Sequence, residues 1–187
     1  MQYKLTTPAT REDLAPLKAG DAVLLSGVVY TARDAAHKRM MELLDRGEGL
    51  PFPVEGSALY YVGPTPERPG EVIGSAGPTT SGRMDAYSPR LLDLGQAIMI
   101  GKGARNQAVK DAVVRNGAVY LAALGGAGAL MAKSVRKLEI ICWEDLGCEA
   151  VRRLEVEDMP LTVILDARGG DLYQSGPAAY LASLEEK

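Results

Sequence analysis

Soft metal ligands are scarce in this chain, with two cysteines and one histidine among 187 residues. The spacing of Cys142 and Cys148 forms neither a Cys-x-x-Cys redox pair nor half of a zinc site. Adding His37 does not complete a conventional zinc or iron–sulfur ligand set, so no metal is assigned to this chain and both cysteines read as packing residues. Long apolar runs are missing as well, and no stretch approaches the length of a membrane span. Positive charge is not in excess: 21 Lys and Arg face 24 Asp and Glu, giving a net charge of −3. That balance carries no basic footprint for nucleic acid. Met1-Gln2-Tyr3-Lys4 lacks the apolar core of a signal peptide, which predicts a cytoplasmic protein. No Ser–His–Asp set can be argued from one histidine and no nucleophile elbow.

What the chain does have is an ordinary globular composition, 47% hydrophobic and 24% charged. Its length suits one domain over residues 1–187, with a sizeable core. No repeat divides it, and no linker is long enough to separate two domains.

The pattern alternates strand and helix. Residues 2–6 read as an edge strand, Thr10–Leu14 as a short capped helix and Ala22–Tyr30 as a buried strand. Helical spacing of Ala36, Met40, Leu43 and Leu44 predicts a helix over 34–46, with Asp34 as its N-cap. Strands are expected near 58–62, 71–73, 96–100, 118–124, 138–143 and 161–166. Helices are expected over 83–94, over 106–115 with Asn116-Gly117 as its C-terminal stop, from Gly125-Gly126 to about 133, and over 177–184. This alternation predicts an α/β fold, with extra strands from the chain ends outside the central layer.

The most informative stretch is Gly77-Pro78-Thr79-Thr80-Ser81-Gly82-Arg83-Met84-Asp85. Three hydroxyl side chains stand between glycines, and a guanidinium follows. Such a loop suits a carboxylate or phosphate, although a polar turn capping a helix through Thr80 or Ser81 would look the same. Gly101-Lys102-Gly103 follows a strand directly and reads as a ligand contact or a surface turn. It is not a P-loop, because the upstream glycine and downstream Ser or Thr are missing. Gly125-Gly126-Ala127-Gly128 lacks the third glycine of a dinucleotide fingerprint. Arg33-Asp34-Ala35-Ala36-His37 stands where strand turns into helix, the usual ligand edge of α/β sheets. His37 there fits a structural or surface residue. Arg33, Arg83 and Lys102, with Thr79 and Thr80, therefore predict an acidic small ligand with two carboxylates.

Taken in order, these segments resemble the β subunit, or C-terminal domain, of class I fumarases and L(+)-tartrate dehydratases. Leu25-Ser26-Gly27 through Arg39, Tyr60-Tyr61-Val62-Gly63-Pro64, the Gly77–Asp85 stretch and Gly101-Lys102-Gly103 carry the likeness. A weaker match runs on to Asp166. The resemblance implies a single swivelling β/β/α domain with three layers and a mixed sheet. It implies a hydro-lyase acting on a dicarboxylate such as fumarate or malate, with tartrate as the alternative. It further implies a 4Fe-4S cluster held by a partner α subunit, and hence a hetero-oligomer. Arg33, Arg83 and Lys102 would bind substrate carboxylates. Thr79 and Thr80 would be the active-site pair, Thr79 being a proposed base. Ser81 receives no chemical role, and His37 none that can be assigned. A dicarboxylate-binding or assembly protein without chemistry of its own is the competing reading.

Overall fold

The computed structural model describes residues 1–185. Seven strands form one mixed sheet: β1 (Gln2–Thr7), β2 (Ala22–Thr31), β3 (Ala58–Tyr60), β4 (Ile98–Gly101), β5 (Val119–Ala122), β6 (Val135–Cys142) and β7 (Val151–Leu165). The helices are α1 (Arg11–Leu14), α2 (Asp34–Asp45), α3 (Ser88–Asp93), α4 (Gln107–Asn116), α5 (Gly128–Lys133) and α6 (Leu172–Glu185). Strands β1 to β5 pair in parallel in chain order. β7 runs antiparallel to β5, to β2 and to β6. Its double pairing closes β2, β3, β4, β5 and β7 into a ring.

Two cores follow from the period-2 alternation of strand side chains. Val23, Leu25, Val29, Tyr60, Ile98, Ile100, Leu121, Leu154 and Val163 share one core with Leu14, Leu17 and Met131. Leu59, Tyr61, Met99 and Tyr120, from the alternate positions, meet Ala36 and Met40 of α2, Leu91 and Leu92 of α3, and Val109 and Val113 of α4. β3, β4 and β5 are buried on both faces, which is why they read as unbroken apolar runs. The α/β architecture expected from the pattern is present, with the mixed sheet that the resemblance implied, but the end strands β1, β6 and β7 join that one sheet instead of lying outside a central layer.

Four local expectations need correction. Residues 71–73 form no strand. Gly70 sits at φ +85°, Glu71 closes a turn on the Arg68 carbonyl and Val72 is exposed, so no neighbour pairs with this segment. The helix expected over 83–94 is divided into a 3-10 turn at Ser81–Met84 and α3, with Pro89 in the first turn of the latter. Proline has no N–H to continue a helix, but suits the start of one. β7 begins at Val151, ten residues before the expected strand, because Pro160 and the charges of 152–158 mask its alternation. A bulge opposite Leu25 and Gly27 absorbs the irregularity. At Gly27, φ is +106° and a Cβ would lie 2.6 Å from the Thr7 carbonyl oxygen, so β1 can pack there only against glycine. α6 starts at Leu172 rather than Pro177 and carries the proline inside. By contrast, α4 ends as expected, on Gly117 in the left-handed region.

Candidate functional site

The carboxyl ends of the parallel strands β2 to β5 converge on one side of the molecule, and the expected residues sit there. Arg33 follows β2, after Ala32 has donated to the Tyr60 carbonyl at 3.1 Å. The Gly77–Asp85 loop enters between the ends of β3 and β4. Thr79 N–H donates to the Tyr61 carbonyl at 2.7 Å, and Thr80 bridges in parallel to Lys102. Ser81 N–H then donates to the Lys102 carbonyl at 2.8 Å. The loop thus behaves as a short extra strand wedged in the crevice where α/β sheets take their ligands. After it, the 3-10 turn lifts Arg83 to the surface, half exposed. The Lys102 stem passes over Gly125 at the end of β5.

These cations are partly engaged. Arg83 Nε donates to Asp34 Oδ1 at 2.8 Å. Arg33 Nη2 lies 3.4 Å from Glu149 Oε1 and 3.9 Å from Asp34 Oδ2. Asp34 therefore links Arg33 to Arg83. Among the described residues, its Oδ2 and the Arg33 Nε are buried without a hydrogen-bond partner. Among the described residues Lys102 enters no ion pair, and no protein group takes a hydrogen bond from either Thr79 or Thr80 hydroxyl. Arg83 spends its Nε on Asp34, and among the described residues its two terminal nitrogens make no hydrogen bond, a fork that fits a carboxylate.

The expected cap of α2 differs. Arg33 occupies the N-cap position without a side-chain bond, and Asp34 is the first helical residue. Glu149, from a 3-10 turn at Glu144–Glu149, accepts from Ala35 N–H at 2.9 Å and serves the helix end instead. A carboxylate suits that end electrostatically. Neither Glu149 nor the ion-pairing role of Asp34 was anticipated, so the face is less purely cationic than its motifs suggest. No motif surrounds Glu149, and only the return of the chain after β6 brings it here.

His37 lies directly beneath. It is fully buried between Tyr61 and Tyr87, with Nδ1 2.8 Å from the Arg33 carbonyl oxygen. The carbonyl can only accept, so Nδ1 carries the proton. Burial holds the imidazole well below its usual range, at about 4, against the opposing pull of the Arg33 carbonyl. A neutral His37 is thus a support for the Arg33 backbone rather than a proton carrier near neutral pH.

The cysteines do not make a metal site. Cys142 is half-buried and Cys148 exposed. Burial pushes the Cys142 thiol up to about 11, away from the thiolate that a metal requires. Among the described residues no group of three His, Cys, Asp or Glu side chains could hold an ion. These residues do not fit an iron–sulfur cluster.

A hollow of about 790 Å³ opens at the opposite end of the parallel strands, lined by Glu55, Gly95, Gln96 and Asn116. It holds none of the predicted residues. The convergent cations and hydroxyls lie instead on an open face.

The family model described as "Fumarase C-terminus" matches residues 1–176. A class I aerobic fumarate hydratase of Salmonella typhimurium is 39% identical over 165 residues, covering 87% of this chain and 28% of that protein. "Fumarate hydratase 2" of Leishmania major is 40% identical over 169 residues, covering 87% of this chain and 29% of its own. A Methanocaldococcus jannaschii protein named "Putative L(+)-tartrate dehydratase subunit beta" is 39% identical over 171 residues, covering 88% of each chain. The chain thus spans under a third of these two fumarate hydratases and most of the third relative. By that match over most of its length, the chain belongs to the fumarase C-terminal family.

Proposed function

We propose that this chain is the β subunit, or the equivalent C-terminal part, of an iron–sulfur-dependent hydro-lyase that reversibly hydrates fumarate to malate in the cytoplasm. The observation that carries the reading is the convergence of Arg33, Arg83, Lys102, Thr79 and Thr80 at the carboxyl ends of the parallel strands. The 4Fe-4S cluster in this proposal belongs to a partner α subunit, which agrees with the unsuitability of Cys142 and Cys148. The swivelling β/β/α description of the family is consistent with two cores, one inside the strand ring and one beneath the helices.

The proposed work of this chain is binding and proton handling. The outward edge of Arg83 and the Lys102 ammonium grip the substrate carboxylates, with Arg33 behind them. Thr79 Oγ1 exchanges the carbon-bound proton. A neutral threonine is a poor base, so the role needs the cations nearby, which favour an alkoxide and stabilise an enolate-like transition state. An open face needs a cover to exclude water, and the α subunit is proposed to supply it. Exposed Leu124 and Tyr173 flank the Lys102 loop, and the Tyr173 hydroxyl accepts from Gly103 N–H at 3.3 Å. α6 beyond it carries no charged residue from Leu172 to Leu184, and none of its side chains is buried. A helix so apolar is usually covered.

A second reading, the β subunit of an L(+)-tartrate dehydratase, is favoured by the equal coverage of the Methanocaldococcus relative. The test is anaerobic reconstitution with a cysteine-bearing α subunit, followed by a substrate panel. Hydration of fumarate above dehydration of tartrate supports the first reading, and the reverse order supports the second. A complex that binds dicarboxylates but turns over none of them leaves only an assembly or binding role and rejects both.

A further inference from the structure

Behind the open face lies a charge pair that the proposed chemistry does not use. The Arg105 side chain is fully buried, and its Nε donates to Asp85 Oδ1 at 2.6 Å. Arg105 Nη2 donates to Ser88 Oγ at 2.7 Å. The guanidinium stands 5.3 Å from the ring centre of Tyr61 and 5.1 Å from that of Tyr120. The second oxygen of Asp85 accepts from Asn106 N–H at 2.6 Å. One carboxylate therefore ties the turn after the threonine loop to the segment after the lysine loop. A second tie runs parallel to it. The Tyr120 hydroxyl lies 2.9 Å from both Ser81 Oγ and the Gly103 carbonyl oxygen. One hydroxyl proton cannot serve both, and the carbonyl can only accept. When Tyr120 gives its proton to Gly103, the Ser81 hydroxyl is free to turn its own to Tyr120.

Arg83 stands just before Asp85 in sequence, and Lys102 just before Arg105. A buried ion pair is an inefficient way to stabilise a fold, because desolvation offsets much of its attraction. Its directional, fully bonded geometry can instead hold two loops in one register. We propose that Asp85 and Arg105, with Tyr120 and Ser81, are positioning residues that fix the separation of the Arg83 and Lys102 cations. They thereby set the length of dianion that the face accepts. The inference rests on the dicarboxylate reading above and adds a determinant of specificity to it.

The experiment compares the wild-type reconstituted complex with Asp85→Asn, Arg105→Lys and the doubly apolar Asp85→Leu/Arg105→Met. The last keeps a filled core where a single change fails to fold. Three readouts are taken: KM and kcat for fumarate, inhibition by malonate, succinate and glutarate, and amide hydrogen exchange at Ser81. The clamp predicts KM raised about tenfold with kcat within a few-fold. It predicts a flattened preference among the three diacids. It also predicts Ser81 exchange about tenfold faster while Val113 stays protected. A purely structural pair would lower the amount of active complex and leave KM and the diacid preference unchanged, and that result overturns the proposal. Unchanged Ser81 exchange in the folded variants overturns it as well. If the wild-type complex neither binds nor converts any dicarboxylate, the functional reading has failed, and Ser81 exchange alone decides whether the clamp exists.

Discussion

Acidification should destabilise this protein through one residue, before its carboxylates titrate. His37 is the only histidine in the chain, so its contribution can be isolated. Burial lowers its pKa from 6.5 to about 4, while the bond to the Arg33 carbonyl opposes the shift. The unfolded chain therefore binds a proton between these values that the folded chain refuses. Stability is complete above the unfolded pKa and is lost as pH falls toward the folded one. The full difference corresponds to about 3 kcal/mol at 1.36 kcal/mol per unit. Between pH 7 and pH 5 the loss is about 2 kcal/mol. With an urea m value of about 2–3 kcal/mol/M, the midpoint should fall by about 0.7–1 M. The assay is urea unfolding at pH 7, 6 and 5, beside an NMR titration of the single imidazole. His37→Phe should flatten the pH dependence over this window, at the cost of the bond to Arg33. An imidazole midpoint above 6, or an equal slope in the variant, would refute the reasoning.

Three further outcomes are expected. A Cβ at Gly101 would lie 2.0 Å from Ser81 Oγ, so Gly101→Ala should cost about 1–3 kcal/mol by overpacking. Adding Ser81→Ala should restore part of the loss in thermal unfolding, because the closest clashing atom is gone, and strictly additive losses would contradict that contact. Met40→Ala, in the core between α2 and the sheet, should cost about 2–5 kcal/mol with the usual cavity penalty, measured by the same urea curves. Asp166 accepts from the N–H groups of Ala19, Arg168 and Gly170, which outweigh its burial and lower its pKa. Asp166→Asn should therefore cost about 1–3 kcal/mol at pH 7, and that difference should shrink as pH falls through the carboxylate range.

The parts of the fold legible in the sequence were those where local chemistry and tertiary packing agree. The apolar runs of β2 to β5 and the Gly117 stop of α4 belong to this class. What stayed hidden depended on partners distant in the chain. β7 carries Pro160 and several charges, yet it pairs with three strands, and the ring closure that results has no local signature. At the candidate site the cations and hydroxyls were readable because glycines and strand ends mark their loops. Asp34 was visible but misplaced as a cap, since its carboxylate turns toward Arg83 across the fold. Glu149 reaches the site region, and Asp85 meets Arg105, only through tertiary contacts. Ser81, given no chemical role, proves to be a buried joint between two loops.

The central claim is that this chain supplies the dianion-gripping face and the threonine pair of a two-part hydro-lyase. Its most direct test is kcat/KM for fumarate in the reconstituted complex carrying Thr79→Ala or Arg83→Ala, with assembly checked by co-purification. Loss of a charge-assisted contact at Arg83 predicts a fall of about 10- to 100-fold, and loss of the Thr79 hydroxyl a fall of at least about 100-fold. Assembled variants that keep the wild-type kcat/KM would contradict the account.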